Sequence, residues 1–206
     1  MSQPITGGIA VARNSSGQMF VGFGTGKFIT LSDIPGNPGY VAQTQSVYGL
    51  MDATTTIPSR DVLQNRTIVS TGVDATGKQT RTFEAQSDLP AGKQGWYMDL
   101  PVPERVISAP TILTDGTMYW SSVNPAVGSD CSSAMGTGYV NHINVFTGTG
   151  GGSTGVSTGM PTEVNVTDKV ATVGTGDGLH TQSENLAKPP SGAPSRVNWR
   201  EIVPQQ

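Results

Sequence analysis

The sequence predicts an all-β protein, and three observations carry that expectation. The 206 residues include 27 Gly and 14 Pro, about a fifth of the chain. That punctuation is too dense for long helices. Short apolar runs alternate with turn signals such as Asn14-Ser15-Ser16-Gly17 and Asp115-Gly116. Finally, Gly95 to Pro125 reads as strand, corner, strand, turn, strand.

In that stretch Trp96, Met98 and Leu100 alternate with Tyr97 and Asp99, the period-2 pattern of a half-buried strand. Trp96 and Trp120 are therefore expected in the core. Pro101 and Pro103 stop the first strand, because proline donates nothing to a ladder. Val106–Leu113 and Thr117–Ser121 follow as further apolar runs, joined by Asp115-Gly116 in a tight hairpin turn. Glu104-Arg105 lies at the corner and has two readings. One is a surface ion pair of small energy. The other is a clamp tying the corner to a neighbouring sheet.

Along the chain, Ile5–Ala12 and Met19–Phe23 form a first hairpin. It echoes the later one, since both carry an apolar run, a Gly turn, then Met and an aromatic residue. Met19 and Met118 lie 99 residues apart, room for two repeats of roughly 40–50 residues, the size of a propeller blade. Asp33–Tyr40 is a loop, and Gln45–Asp52 returns to the core. Thr67–Val73 and Gln79–Phe83 are strands around the turn Asp74–Gly77. Asn124–Gly138 is a long polar excursion, and Tyr139–Phe146 is another strand. Gly148–Gly159 is low in complexity and reads as a surface loop. Val164–Val173 is again β-rich. The tail reads as a Pro-rich tether followed by a last strand, Arg196–Ile202.

Composition excludes several functions. A net charge of −3 offers no basic footprint for nucleic acid. No run approaches eighteen apolar residues, so no membrane span is expected. The N-terminus lacks the basic and apolar segments of a signal peptide. The protein is then either cytosolic or a piece of a longer exported precursor. Cys131 is the only cysteine, which rules out a disulfide within the chain. It is an inert thiol or pairs outside the chain.

Motifs that suggest chemistry fail on spacing. Gly22–Lys27 resembles a phosphate loop, but Val21 and Phe28 stand where a Gly and a Ser or Thr are required. Its glycines are better read as places where a strand end approaches another backbone. Two matches to the hydrolase elbow, centred on Ser153 and Ser157, lack the following helix. His142 and His180 have no partner at metal-ligand spacing. Asp74 lacks the alternate carboxylates of a calcium loop. No catalytic, cofactor or metal residue is assigned.

A set of motifs in fixed order carries a resemblance. GTGKFI (24–29), QSVYGLMD (45–52), RDVLQNRTI (60–68) and GWYMDLP (95–101) come first. ERVISAPTI (104–112), DGTMYWSSVNP (115–125), DCSSAMGTGYVNHINVFTG (130–148) and VNWREI (197–202) follow. Together they resemble the C-terminal β-propeller of the PilY/PilC family, type IV pilus tip-associated biogenesis and adhesion proteins. The residues that mark these motifs as structural are Gly24, Gly26, Tyr48, Asp52, Trp96, Glu104, Arg105, Asp115, Gly116 and Trp120.

The resemblance implies a single domain over 1–206, a partial propeller of four-stranded antiparallel blades. It implies export to the cell surface or pilus tip, and work with minor pilins and other tip components. It also implies twitching motility and adhesion to host or abiotic surfaces, without enzymatic activity. The family propeller is larger than this chain. Its calcium loop finds no match here, so calcium is assigned to no residue. Two other classes stay open: a fragment of a quinone-dependent propeller dehydrogenase, and a free-standing β-rich surface or phage protein. Metal-dependent dye reduction would mark the dehydrogenase.

Overall fold

The computed structural model describes residues 3–53, 56–126, 136–167, 170–175 and 178–183. Among them there is no α-helix, only the 3-10 turns Leu31–Asp33 and Arg60–Val62. Fourteen strands among the described residues form three sheets.

The first sheet has five strands in the order β1-β2-β3-β7-β4. These are β1 (Ala10–Arg13), β2 (Met19–Gly24), β3 (Ser46–Met51), β4 (Gln64–Arg66) and β7 (Gly95–Asp99). The β1–β2 hairpin turns at Asn14–Gly17, where the Asn14 carboxamide oxygen accepts from the N–H groups of Ser16 and Gln18. Asn bonds its own following backbone in this way at many turns. The second sheet has six strands in the order β5-β6-β11-β10-β9-β8. They are β5 (Ile68–Val73), β6 (Gln79–Phe83), β8 (Thr111–Ile112), β9 (Thr117–Asn124), β10 (Thr137–Asn144) and β11 (Thr149–Val156). The third sheet is β12 (Asn165–Thr167), β13 (Val170–Thr175) and β14 (Gly178–Ser183).

The two larger sheets share a plan. Each contains a four-stranded antiparallel run, β1-β2-β3-β7 in one and β8-β9-β10-β11 in the other. The echoing hairpins, β1–β2 and β8–β9, open the two runs. The extra strands come from one excursion between β3 and β7. The chain adds β4 parallel to β7, passes into the second sheet as β5, and returns through β6. Sheets of five and six strands thus stand where blades of four were expected.

The sheets pack face to face. Phe20, Val47, Trp96 and Met98 from the first meet Phe83, Met118, Trp120 and Ile143 from the second. On the far side of the second sheet, Tyr119, Val140 and Val156 pack against Val164, Ala171 and Val173. Trp96 is fully buried and Trp120 is 1% exposed. For Trp96 the alternation is that of its strand, whereas β9 around Trp120 is buried on both faces, from Met118 to Val123. None of the three sheets closes into a barrel, and the architecture is that of a partial β-propeller.

One expectation is corrected. Gly148–Gly159 is not a surface loop, because Thr149–Val156 is β11, paired on both sides in the second sheet. Its glycines are what fit it there. A Cβ at Gly151 would collide with the His142 carbonyl, and one at Gly152 would lie 2.6 Å from the Arg81 carbonyl oxygen. Thr149 and Ser153 are buried, so the tract is interior. Val106–Leu113 also yields less strand than its apolar run suggests, only Thr111–Ile112. Cys131, most of the 124–138 excursion and the tail with Trp199 lie outside the described residues.

Candidate functional site

The corner after β7 is where the two sheets are joined. Its backbone is held on both sides. The Val106 N–H donates to the Thr25 carbonyl at 3.0 Å, and Arg105 exchanges backbone bonds with Val123 at 3.0 and 2.8 Å. Gly24 and Gly26 allow the approach. A Cβ at Gly24 would overlap the Val106 side chain, and one at Gly26 would lie 2.6 Å from the Arg105 Cβ. The GTGK segment is therefore a packing joint, as its failed phosphate spacing suggests.

Glu104 and Arg105 do not pair with each other. Glu104 is 1% exposed and receives the Arg81 Nη1 at 2.7 and 3.0 Å. Ser122 also donates its hydroxyl to this carboxylate. The Arg81 guanidinium lies 3.6 Å from the centre of the Tyr139 ring. Arg105 instead donates Nη1 to the Lys27 carbonyl at 2.8 Å and Nε to the Pro103 carbonyl at 3.2 Å. The clamp reading of the corner holds and the surface reading is withdrawn. A water-poor ion pair ties the corner to β6 of the second sheet.

A second cluster sits on the outer face of the first sheet. Phe23, Tyr48 and Tyr97 lie in register on β2, β3 and β7. Phe23 and Tyr48 stack at 5.0 Å, and the Tyr48 and Tyr97 rings are 6.2 Å apart. Arg60 lies over Tyr97, 4.0 Å from the ring centre. It donates to the Tyr48 hydroxyl at 2.9 Å and to Asp99 at 2.9 Å. Such a cation over a ring is worth about 0.5–1 kcal/mol at an exposed site. Burial draws the Arg60 guanidinium down, but Asp99 and Tyr48 outweigh it and hold it above its ordinary value.

The remaining marked residues divide cleanly. The Trp96 indole N–H donates to the Val145 carbonyl at 2.8 Å. Asp115 and Gly116 form the expected β8–β9 turn, with Gly116 at φ +86° and the Asp115 carboxylate accepting from the Thr117 N–H. Asp52 has an exposed side chain; only its backbone N–H binds, to the Met19 carbonyl. Sequence reasoning missed Arg60, Arg66, Arg81 and Asp99. Arg66 is buried on β4 and bonds Glu84 at 3.0 Å and the Thr147 carbonyl at 3.1 Å. Each of these partners is distant in sequence, so no local spacing reveals it.

Ser153, the centre of an elbow match, lies mid-strand in β11 rather than on a strand-to-helix turn. Among the described residues no group of three or more His, Cys, Asp or Glu side chains could hold a metal ion. The Asp74 carboxylate accepts from the Thr76 and Lys78 N–H groups, which makes it a turn former.

Two proteins of Xylella fastidiosa, each named Type IV pilus biogenesis factor PilY1 homolog, match the chain. One is 32% identical over 98% of this chain and 18% of its own length. The other is 27% identical over 73% of this chain and 10% of its own length. The chain therefore spans less than a fifth of either relative. No family model matches it, and no solved structure does so significantly. With near-complete coverage, two matches of one name and motifs that pair with each other in space, this chain belongs to the PilY1 family of type IV pilus factors.

Proposed function

We propose that this chain is a non-catalytic part of a type IV pilus tip and biogenesis factor. It acts in pilus assembly, twitching motility and surface adhesion, exported to the cell surface and working with minor pilins. The observation that carries this reading is the 32% identity across 98% of the chain to a protein named as a pilus biogenesis factor.

The fold supports it in a specific way. The motifs that carry the resemblance are each other's packing partners. QSVYGLMD pairs with GWYMDLP as β3 and β7, and GTGKFI packs on ERVISAPTI at the corner. DGTMYWSSVNP pairs with GYVNHIN as β9 and β10. Such motifs specify a framework, which is what an assembly component needs from this region. Calcium is given no residue in this reading.

The test is a strain whose chromosomal copy ends before Gly95. Surface pili and twitching should both fall. Normal fibres and normal twitching in that strain would remove this region from pilus assembly. Dye reduction by the purified chain with quinone and metal would favour a propeller dehydrogenase instead.

A further inference from the structure

A partly enclosed cavity of about 160 Å³ lies beside the corner. Lys27, Asp33, Tyr40, Gln43, Gln45 and Arg105 line it. Three of these polar side chains are more than nine-tenths buried: Asp33, Gln45 and Arg105. We propose that this cavity binds a small carboxylate, with Arg105 as its anchor.

The charge balance carries the argument. Lys27 and Asp33 pair at 3.0 Å and neutralise each other. Arg105 gives its described hydrogen bonds to two neutral carbonyls, those of Pro103 and Lys27. Among the described residues no carboxylate lies within ion-pair distance of it, and its neighbour Glu104 is taken by Arg81. A buried cation without an anion is costly, and a ligand carboxylate relieves that cost. Arg presents a planar fork that matches a carboxylate with two parallel bonds.

Gln45 adds a second signal. Its amide oxygen is buried and accepts no hydrogen bond. A ligand N–H or hydroxyl would satisfy it, and buried polar groups are rarely left unpaired. Size limits the ligand. A cavity of about 150 Å³ holds a molecule as large as benzene, so this one takes a short acid and not a nucleotide. Gly26 is part of the same construction, since its missing Cβ leaves room for the Arg105 stem. The ligand is either a free short-chain acid or the C-terminal carboxylate of a peptide.

Isothermal titration calorimetry of the 206-residue chain distinguishes the two sources. The probes are lactate, whose hydroxyl can reach Gln45, for a free acid, N-acetylglycine for a peptide terminus, and N-acetylglycinamide as the uncharged control. Saturable binding of either acid, with none of the amide, is expected. Lactate alone would identify the free acid, and N-acetylglycine alone the peptide terminus. Arg105→Gln should abolish binding. Lys27 is half-exposed, so Lys27→Met should fold and weaken binding several-fold, leaving Asp33 uncompensated beside the anion. No heat from either acid, equal binding of the amide, or unchanged binding by Lys27→Met would overturn the proposal.

Discussion

Arg81 on β6 and Glu104 at the corner after β7 form an ion pair that water barely reaches. Nη1 of Arg81 lies 2.7 and 3.0 Å from the two carboxylate oxygens, and the side chains are 8% and 1% exposed. Ser122 and Tyr139 complete the surroundings. The corner belongs to the chain leaving the first sheet, and β6 belongs to the second. The pair therefore ties the corner to the second sheet, to which Arg105 also bridges at Val123.

Glu104→Ala should lower stability by about 3–5 kcal/mol, because it leaves Arg81 buried without its anion. Replacing both residues, as in Arg81→Met with Glu104→Leu, should cost less than the sum of the single changes. Denaturant unfolding of the wild type, Glu104→Ala, the two single changes Arg81→Met and Glu104→Leu, and the double variant checks this. Additive losses would show that the two side chains act independently.

Trp120 tests the core between the sheets. It is 1% exposed and stacks on Phe83 with ring centres 6.2 Å apart. Trp120→Ala should cost about 3–5 kcal/mol through the cavity left behind. An unchanged denaturation midpoint would contradict the packing described.

The Gly-rich strand makes a prediction opposite to that of a surface loop. Gly151→Ala should destabilise by about 1–3 kcal/mol, since the new Cβ meets the His142 carbonyl and overpacks the sheet. Removing residues 149–156 should prevent folding. Circular dichroism and a thermal melt of each variant decide the matter. A cooperative melt at the wild-type temperature after the deletion would restore the loop reading.

These residues also show where the sequence is legible. Trp96 can be placed because apolar side chains alternate around it, and Trp120 because it stands in a run of large apolar residues beside the Asp115-Gly116 turn. The turns at Asn14–Gly17, Asp74–Gly77 and Asp115-Gly116 can be placed because Asn, Asp and Gly supply their own turn chemistry. β11 cannot be placed that way. It is interior through small size and close approach, with little apolar alternation to announce it. The clamp is illegible for another reason. Arg81 and Glu104 lie 23 residues apart, and only the tertiary fold brings them together. The sheet-switching β4–β5 segment hides similarly, since nothing local tells one sheet from the other.

Asp33 gives a dependence on pH. Burial raises its carboxyl, but the N–H groups of Ile29 and Thr30 and the Lys27 ammonium outweigh burial. They hold it well below its ordinary value of 3.8. The folded form thus has the lower pKa. Its stabilisation is complete above the unfolded value and is lost as the pH falls through the folded one. Asp33→Asn should therefore cost about 0.5–2 kcal/mol at neutral pH, the scale of a lost capping side chain. The gap between variant and wild type should narrow below pH 3.8, as melts across the acid range would reveal.

The central claim is that this region serves the pilus machine through its packed framework. The most direct measurement is the surface pilus count of a strain carrying chromosomal Glu104→Ala. A strain carrying Thr76→Ala, in the exposed β5–β6 turn, is the control. A loss of several kcal/mol of stability lowers a protein's abundance several-fold. The Glu104→Ala strain should therefore show several-fold fewer fibres and reduced twitching, with the control unaffected. A wild-type fibre count with Glu104→Ala, at a protein level confirmed to be reduced, would contradict the claim.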